Sequence, residues 1–467
     1  MRITKTNFNT LSTDTYLRTD FKYHYFITNT SWNVFGCPIN DTIPLSDILR
    51  EDYNVFLYED DEDYKGIPTG QSYIDEDGDI IDFIPVTKEE HPARLKFKAT
   101  KEHILLSSLR LAKAPALNFD SDDLNSCVFS NGFFIFKVRD GWDKKFILHM
   151  LRNKKIKNLL DEHIYRGIGI SSYKSNDFLR IRIKNTPLHE QQVAIKEISP
   201  IECEIKRLKS FRLFSKQIID DVFAREFNFD YETFDELKRE KTYFTTQQLF
   251  SNNPDLRFSV KFHRKAGQFV MSQLTTITER KIKHFLAEPI ALGASVSPSD
   301  FDENGEAFYV SMASIKTLEV ELDDSQLLSP RYYSEHQNKS LQINDIIIAR
   351  SGVAIGKTAI VKEEFDGVFA DFTMRVKTEN YNADFAYYYF RTTYFQYLIE
   401  IYKKGLQNQN IFPIVIQEFP MIDISLDEQQ RIVNEIHLEI SKQNDINKQI
   451  ASLRCRIEEI IENAMAF

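Results

Sequence analysis

The sequence predicts an α+β protein in which two mixed α/β domains are separated by two long antiparallel helices, the halves forming a pseudo-twofold internal repeat. Three observations predict it. Two landmark motifs recur at nearly constant spacing, short β-branched and aromatic runs fill the interval between them, and each half ends in a long helix with one apolar stripe.

The first landmark is Leu17-Arg18 followed by Phe21-Lys22-Tyr23-His24; Leu256-Arg257 and Val260-Lys261-Phe262-His263 repeat it 239 residues later. The second is Pro187-Leu188-His189-Glu190-Gln191-Gln192-Val193, repeated as Ser425-Leu426-Asp427-Glu428-Gln429-Gln430-Arg431-Ile432-Val433 with an offset of 238. His24 to Gln191 is 167 residues and His263 to Gln429 is 166, a constancy that single chance matches do not produce. More loosely, Ile104-Leu105-Leu106 and Arg110 match Ile346-Ile347-Ile348 and Arg350, and Ser130 to Val138 matches Phe369 to Lys377.

The elements follow in order. LKFKATKEHILLSSL, FFIFKV, DIIIAR, KTAIV and FTMRVKT are short β-branched and aromatic runs bounded by Gly, Asp and Asn, a strand signature. KFILHMLRNKKIKNLLDEH and DFAYYYFRTTYFQYLIEIYKKG read as helices. Ser425 with Glu428 three residues on is a capping-box pattern that opens the last helix. Ile432, Val433, Ile436 and Ile440, then Ile450, Leu453, Ile457 and Ile460, hold one face of it; the first copy runs Ile201, Ile205, Leu208, Ile218, Ile219, Val222, with Pro200 expected to kink or restart it. Each helix is expected to span roughly 40 residues, about 60 Å at ~1.5 Å per residue. One stripe on so long a helix calls for a partner, so the two are expected to pack as an antiparallel pair through Ile201, Ile205, Leu208, Val222, Ile436, Ile440, Leu453 and Ile457. The expected domains are 1–186 and 248–424, with helix and linker 187–247 and helix 425–467.

Composition excludes several classes. With 467 residues, 42% hydrophobic and 27% charged, the chain is an ordinary multidomain globular protein. No apolar run of spanning length occurs, the first residues lack a secretory signal, and the four cysteines include no CxxC pair, so a cytoplasmic location with reduced thiols is expected. The net charge of -10 is unevenly spread: residues 41–90 carry 16 acids and three bases, whereas residues 91–184 carry 19 Lys/Arg against nine acids. Such a basic stretch suits phosphate neutralisation or pairing with the acidic one.

Leu426 to Val433, the stretch Asp345-Ile346-Ile347-Ile348-Ala349-Arg350-Ser351-Gly352 with Gly356-Lys357, and Gly66-Ile67-Pro68-Thr69-Gly70 through Ile74-Asp75-Glu76-Asp77-Gly78 together resemble the specificity subunits of type I restriction-modification systems. The resemblance covers essentially the whole chain. The first copy departs from it in His189, in Val193-Ala194-Ile195, and in Ser107-Ser108-Leu109-Arg110, which lacks Ser-Gly and Gly-Lys. It implies two target-recognition domains reading a bipartite double-stranded DNA site, with spacing set by the helices. It also implies no catalytic centre and no cofactor in this chain: two methyltransferase subunits would carry S-adenosylmethionine, and restriction translocase-nuclease subunits would carry ATP and Mg²⁺.

The residues singled out for DNA are loop candidates: Arg110 and Lys113 in the first half, and Arg350, Ser351, Lys357, Thr358, Lys403, Lys404, Gln407 and Asn408 in the second. Arginine suits a guanine edge, Gln and Asn an adenine, Lys and Ser a phosphate. Gly352 to Thr358 falls one residue short of a phosphate-binding loop and leads into a strand-like run. No methyltransferase-type Asn/Asp/Ser-Pro-Pro-Tyr/Phe occurs. Two rivals remain: a metal-dependent nuclease built on Asp255, Glu279 and Lys281, and a recognition subunit of another phage-defence complex. His24 and His263 read as structural histidines, and Tyr387, Tyr388, Tyr389 and Phe390 as core.

Overall fold

The computed structural model describes residues 21–30, 32–58, 63–70, 72–87, 92–109, 126–165, 172–240, 242–244, 246, 261–315, 318–405 and 409–466. The chain divides into two compact units: Met1–Phe211 with Asn447–Phe467, and Arg212–Ile446.

In the first unit the strands are β1 (Thr42–Pro44), β2 (Leu49–Glu51), β3 (Asn54–Val55), β4 (Tyr64–Ile67), β5 (Ile84–Val86), β6 (Leu95–Lys98), β7 (His103–Ser107), β8 (Cys127–Ser130), β9 (Phe133–Val138) and β10 (Arg182–Lys184). They form sheets in the orders β3-β6-β8-β4-β5, β2-β9-β7 and β1-β10. The described helices there are α1 (Phe21–Thr30), α2 (Lys144–Arg152), α3 (Lys154–Leu159), α4 (Ser175–Leu179) and α5 (Leu188–Ser210).

The second unit holds α6 (Ser215–Phe227), α7 (Tyr231–Arg239), α8 (Lys265–Ile277), α9 (Pro330–Glu335), α10 (Ala383–Arg391), α11 (Thr393–Tyr402) and α12 (Pro413–Ile416). Its strands are β11 (Ala291–Leu292), β12 (Ala307–Val310), β13 (Gln326–Leu328), β14 (Ile346–Ala349), β15 (Thr358–Ile360), β16 (Gly367–Phe369) and β17 (Thr373–Val376), in sheets β11-β17-β14-β15 and β13-β12-β16. The 40-residue helix α13 (Leu426–Met465) belongs to the second unit through Ile446 and to the first beyond it.

The duplication is written into the sheets. The order β2-β9-β7 matches β11-β17-β14, and β5-β4-β8 matches β13-β12-β16. In both, β4·β8 and β12·β16 are the parallel pairs. Register agrees too, with Ile104 opposite Phe136 and Ile346 opposite Val376, which shifts the expected match of Ser130–Val138 to Phe369–Lys377 by one residue. β7, β8, β14 and β17 are buried along their whole length, and of these β14 (Ile346–Ala349) is wholly apolar, whereas β17 buries Thr373 and Arg375 within its run.

The Glu-Gln-Gln landmark has a structural task. Gln191, fully buried, accepts from the Asp143 amide at 2.7 Å and donates to the Thr186 carbonyl at 2.8 Å. Gln429 does the same at the equivalent place, accepting from Asn382 N and donating to Ile424 O, both at 2.8 Å. Asp143 and Asn382 are the N-caps of α2 and α10. One buried amide thus ties a helix start to the entrance of the long helix in each unit, and a hydrocarbon there would strand both backbone groups. The capping box at Ser425 forms as expected, Ser425 N donating to Glu428 and Glu428 N to Ser425 Oγ.

The long first helix departs from expectation. It runs unbroken through Pro200, which is exposed, and stops at Ser210; α6 begins only at Ser215. Phe214 has extended backbone (φ -84°, ψ 145°), and the Leu213 amide donates to the Gln443 side chain at 2.8 Å. That partner takes up a donor the broken helix releases. The segments predicted as single helices are also split, at Asn153 and Thr392, each of which caps the following helix with its side chain.

Antiparallel helix packing is present within each unit. In the first, Ala194 and Ile198 of α5 share a core with Ile461 and Met465 of α13, while Lys209 and Arg454 meet at the other end on Asp77. In the second, Arg225 pairs with Glu435 at 2.6 Å and Arg431 with Glu226, while Gln443 reaches back to Leu213. Of the predicted packing residues, Ile201, Ile205, Leu208, Val222, Ile436 and Ile440 are buried; Leu453 and Ile457 are half-buried.

The acidic stretch resolves in part. A hairpin closed by Ile74 opposite Ile80 presents Asp75, Asp77 and Asp79 to Lys209, with Nζ 2.6 Å from Asp75 and 2.9 Å from Asp79 and bonded to Asp77 as well. Arg454 holds Asp77 at 2.7 Å and Glu76 at 2.5 Å. Its charge is therefore taken up by the two helices rather than by residues 91–184 alone.

Candidate nucleic-acid interface

In the second unit two loops predicted separately lie side by side. The first leaves β14 at Arg350, makes a tight 3-10 turn over Gly352–Ala354 and re-enters the sheet at β15. Gly352 and Gly356 have positive φ of 72° and 86°, a conformation that favours glycine. The second loop links α11 to α12 and is closed by Lys404 N to Asn410 O at 2.8 Å and Asn410 N to Lys404 O at 2.7 Å. The two are stitched together: Ile411 N donates to Arg350 O at 2.9 Å, Gly352 N to Gln409 O at 3.3 Å, and Ser351 bridges Asn410. Gln396 of α11 adds a bond to Gly356 O at 2.8 Å.

Arg350 is the most constrained cation of the group. Its amide donates to Phe372 O at 2.9 Å, and its Nε donates to Asp371 O at 2.8 Å. The guanidinium carbon lies 6.0 Å from the Phe412 ring centroid. Its two Nη groups have no protein partner among the described residues. Beyond it Val353 is fully exposed at the apex of the turn, and Phe412, which caps α12, and Ile414 of α12 are exposed beside it.

The other candidates fall as follows. Ser351 is half-buried, and Lys357 is exposed on the same turn. Lys404 is exposed at the base of the second loop. Lys403 is held by Glu400, whose carboxyl burial raises and whose bonds from Lys261 and Lys403 lower to a net value below the ordinary range. Thr358 is corrected: it is 2% exposed and donates its hydroxyl to the Gly356 carbonyl at 2.9 Å, so it shapes the turn from inside. Arg110, Lys113, Gln407 and Asn408 lie outside the described residues.

The first unit roots an equivalent pair of loops. Tyr173 N donates to Ser108 O at 3.2 Å, the counterpart of Ile411 to Arg350, so Ser108 rather than the expected Arg110 stands at the place of Arg350; Leu109 bridges Ser172. Tyr173, pushed well above the ordinary phenol range by burial, fixes the junction by donating to Ser107 O at 3.0 Å.

Among the described residues the phosphate-binding loop does not form. No helix follows the Gly352–Thr358 turn, so its amides do not form a phosphate cradle at a helix start. Lys281 is paired with Glu418 at 2.7 Å, and Lys283 joins it at 2.6 Å, which holds the Glu418 carboxyl down to about 2. Asp255 lies outside the described residues. His24 and His263 are both buried, each against an aromatic neighbour, and Tyr387 to Phe390 are core. Sequence reading missed Val353, Phe412 and the backbone stitching through Asn410; exposed apolar residues beside glycines were the available signal.

No protein-family profile matches the sequence, and no curated protein matches it. Among the described residues no helix is long and apolar enough to cross a membrane. The fold is similar to a chain from the assembly and conformational transition of a type I restriction-modification system, with 14% identity, 91% of this chain and 97% of that chain covered, and a TM-score of 0.44. It is similar to the HsdS subunit of Thermoanaerobacter tengcongensis, with 16% identity, 91% and 96% covered, and a TM-score of 0.32. It is also similar to the type I restriction-modification S subunit of M. genitalium, with 13% identity, 91% and 96% covered, and a TM-score of 0.39.

Proposed function

We propose that this protein is the DNA-reading specificity subunit of a type I restriction-modification complex, each unit addressing one half of a split target. The observation that carries the reading is the repeated loop pair, stitched by the same backbone bond at Ser108–Tyr173 and Arg350–Ile411. Two non-identical loop pairs on duplicated frames suit a bipartite, asymmetric double-stranded DNA site, since loop side chains read bases while the frame sets position. The sequence resemblance in both halves supports the same reading.

On this reading the chain performs no chemistry itself. Adenine methylation falls to two methyltransferase subunits with S-adenosylmethionine, and cleavage to ATP- and Mg²⁺-dependent translocase-nuclease subunits, all in the cytoplasm. A long-read methylome of the host with and without the gene tests it. The expected result is loss of N6-methyladenine at one motif made of two short half-sites and a fixed gap. An unchanged methylome, with a neighbouring methyltransferase expressed, overturns it; Mg²⁺-dependent cleavage by the isolated chain would restore the nuclease reading.

A further inference from the structure

We infer that Arg350 and Val353 form a two-part base reader that selects a guanine beside a thymine in the major groove. This rests on the DNA-reading function proposed above and adds which side chains discriminate and what they select.

The case begins with the arginine. An arginine serving only as a positive charge gains from mobility, because phosphates can be met in many poses. Arg350 is held instead at three points: its amide by Phe372, its carbonyl by Ile411, and its Nε by Asp371. Only the Nη pair is left to act among the described groups. A fixed planar fork with parallel donors matches the adjacent O6 and N7 acceptors of guanine, and no other base offers that pair in the major groove.

Val353 supplies the second half. It stands three residues on, at the apex of a turn set by two positive-φ glycines and backed by the buried Ala354. An apolar side chain at full exposure gains nothing from phosphate oxygens. Inside the major groove it meets one apolar group, the 5-methyl of thymine. Lys357, exposed on the same turn, suits the flanking phosphate. Because the turn is stitched to the second loop through Gly352 and Ser351, the two readers advance as one rigid body and address neighbouring base pairs.

The test is sequencing of duplexes enriched from a random pool by the full chain, comparing wild type with Arg350→Ala, Arg350→Lys and Val353→Ser. Arg350→Ala should lose roughly 10- to 100-fold discrimination for guanine at one position and leave the other positions intact, and Arg350→Lys, which lacks the planar fork, should lose part of it at that same position. Val353→Ser should relax an adjacent thymine. Replacing that thymine by deoxyuridine should weaken wild type about 4-fold, one methyl's worth, and leave Val353→Ser unaffected. Uniform weakening on all sequences by Arg350→Ala would make the arginine a phosphate contact and overturn the inference. So would indifference of wild type to deoxyuridine. Enrichment of no sequence by wild type would instead remove the DNA-reading function itself. Val353 makes no buried contact, so its variant tests reading rather than folding.

Discussion

Replacing Lys209 by methionine should loosen the first unit in a way that calcium partly reverses. Its ammonium bonds Asp75, Asp77 and Asp79, whose carboxylate oxygens lie within 4.8 Å of one another. The lysine side chain is 20% exposed, Asp75 and Asp77 21% each, and Asp79 47%. An exposed pair contributes about 0.5 kcal/mol, whereas breaking a buried one costs about 3–5 kcal/mol. This cluster sits between, and Arg454 still neutralises Asp77, so a loss of about 2–3 kcal/mol is expected. For a domain of this size that lowers the melting temperature by roughly 5–10 °C. In the variant three carboxylates are left to share a vacated position, and Ca²⁺ accepts irregular oxygen ligation. Melting the full chain by circular dichroism, with EDTA and with millimolar Ca²⁺, should show a calcium-dependent recovery in the variant and none in wild type. A variant that melts like wild type in EDTA would refute the claim that Lys209 holds the hairpin.

Three further outcomes follow from the same structure. Gln429→Leu strands the Asn382 amide and the Ile424 carbonyl, so it should cost about 2–4 kcal/mol in denaturant titration, and Gln191→Leu likewise. Gly356→Ala forces a side chain into positive φ, 2.6 Å from Gln396 Oε1. It should weaken DNA binding at least tenfold in a gel-shift assay and also lower the melting point, because Gly356 is buried and alanine at positive φ is strained. Finally, burial pushes the Asp77 carboxyl up, but bonds from Arg454 and Lys209 more than reverse this and hold it below the ordinary value. A depressed carboxyl stabilises the fold fully above its unfolded pKa of about 4 and loses that contribution as pH falls through the folded value. Asp77→Asn should therefore narrow its stability gap to wild type only below about pH 4 in acid titrations followed by fluorescence.

The repeat was legible because its landmarks are structural joints. Gln191 and Gln429 each bind a helix cap to a helix entrance, so their spacing follows the fold between them. The central strand β14 was legible because its full burial makes it uniformly apolar, while its neighbour β17 carries Arg375 inside the run. The helix breaks were not: α2 and α3, like α10 and α11, face one core, so apolar periodicity continues across Asn153 and Thr392 while only the cap side chains mark the turn. The break at Phe211–Phe214 depends on Gln443, more than 200 residues away, and no local pattern announces it. The ionic hairpin was half visible. Aspartates at alternate positions, 75, 77 and 79, signalled one shared side, but the partners Lys209 and Arg454 are fixed by tertiary structure. In the loops, residue type suggested DNA, while the pairing of two loops into one platform emerged only from the backbone bonds.

The division of the chain also sets an order of events during synthesis. The second unit is one uninterrupted stretch, Arg212–Ile446, whereas the first is completed only by Asn447–Phe467. Ile461 and Met465 are fully buried in the first unit's core, so that core stays open on one side until they emerge from the ribosome. At ordinary elongation rates of ~5–20 residues per second, the wait lasts roughly 10–50 s. The first unit is therefore closed only after the second has been made, and until then its core lies uncapped before chaperones and proteases.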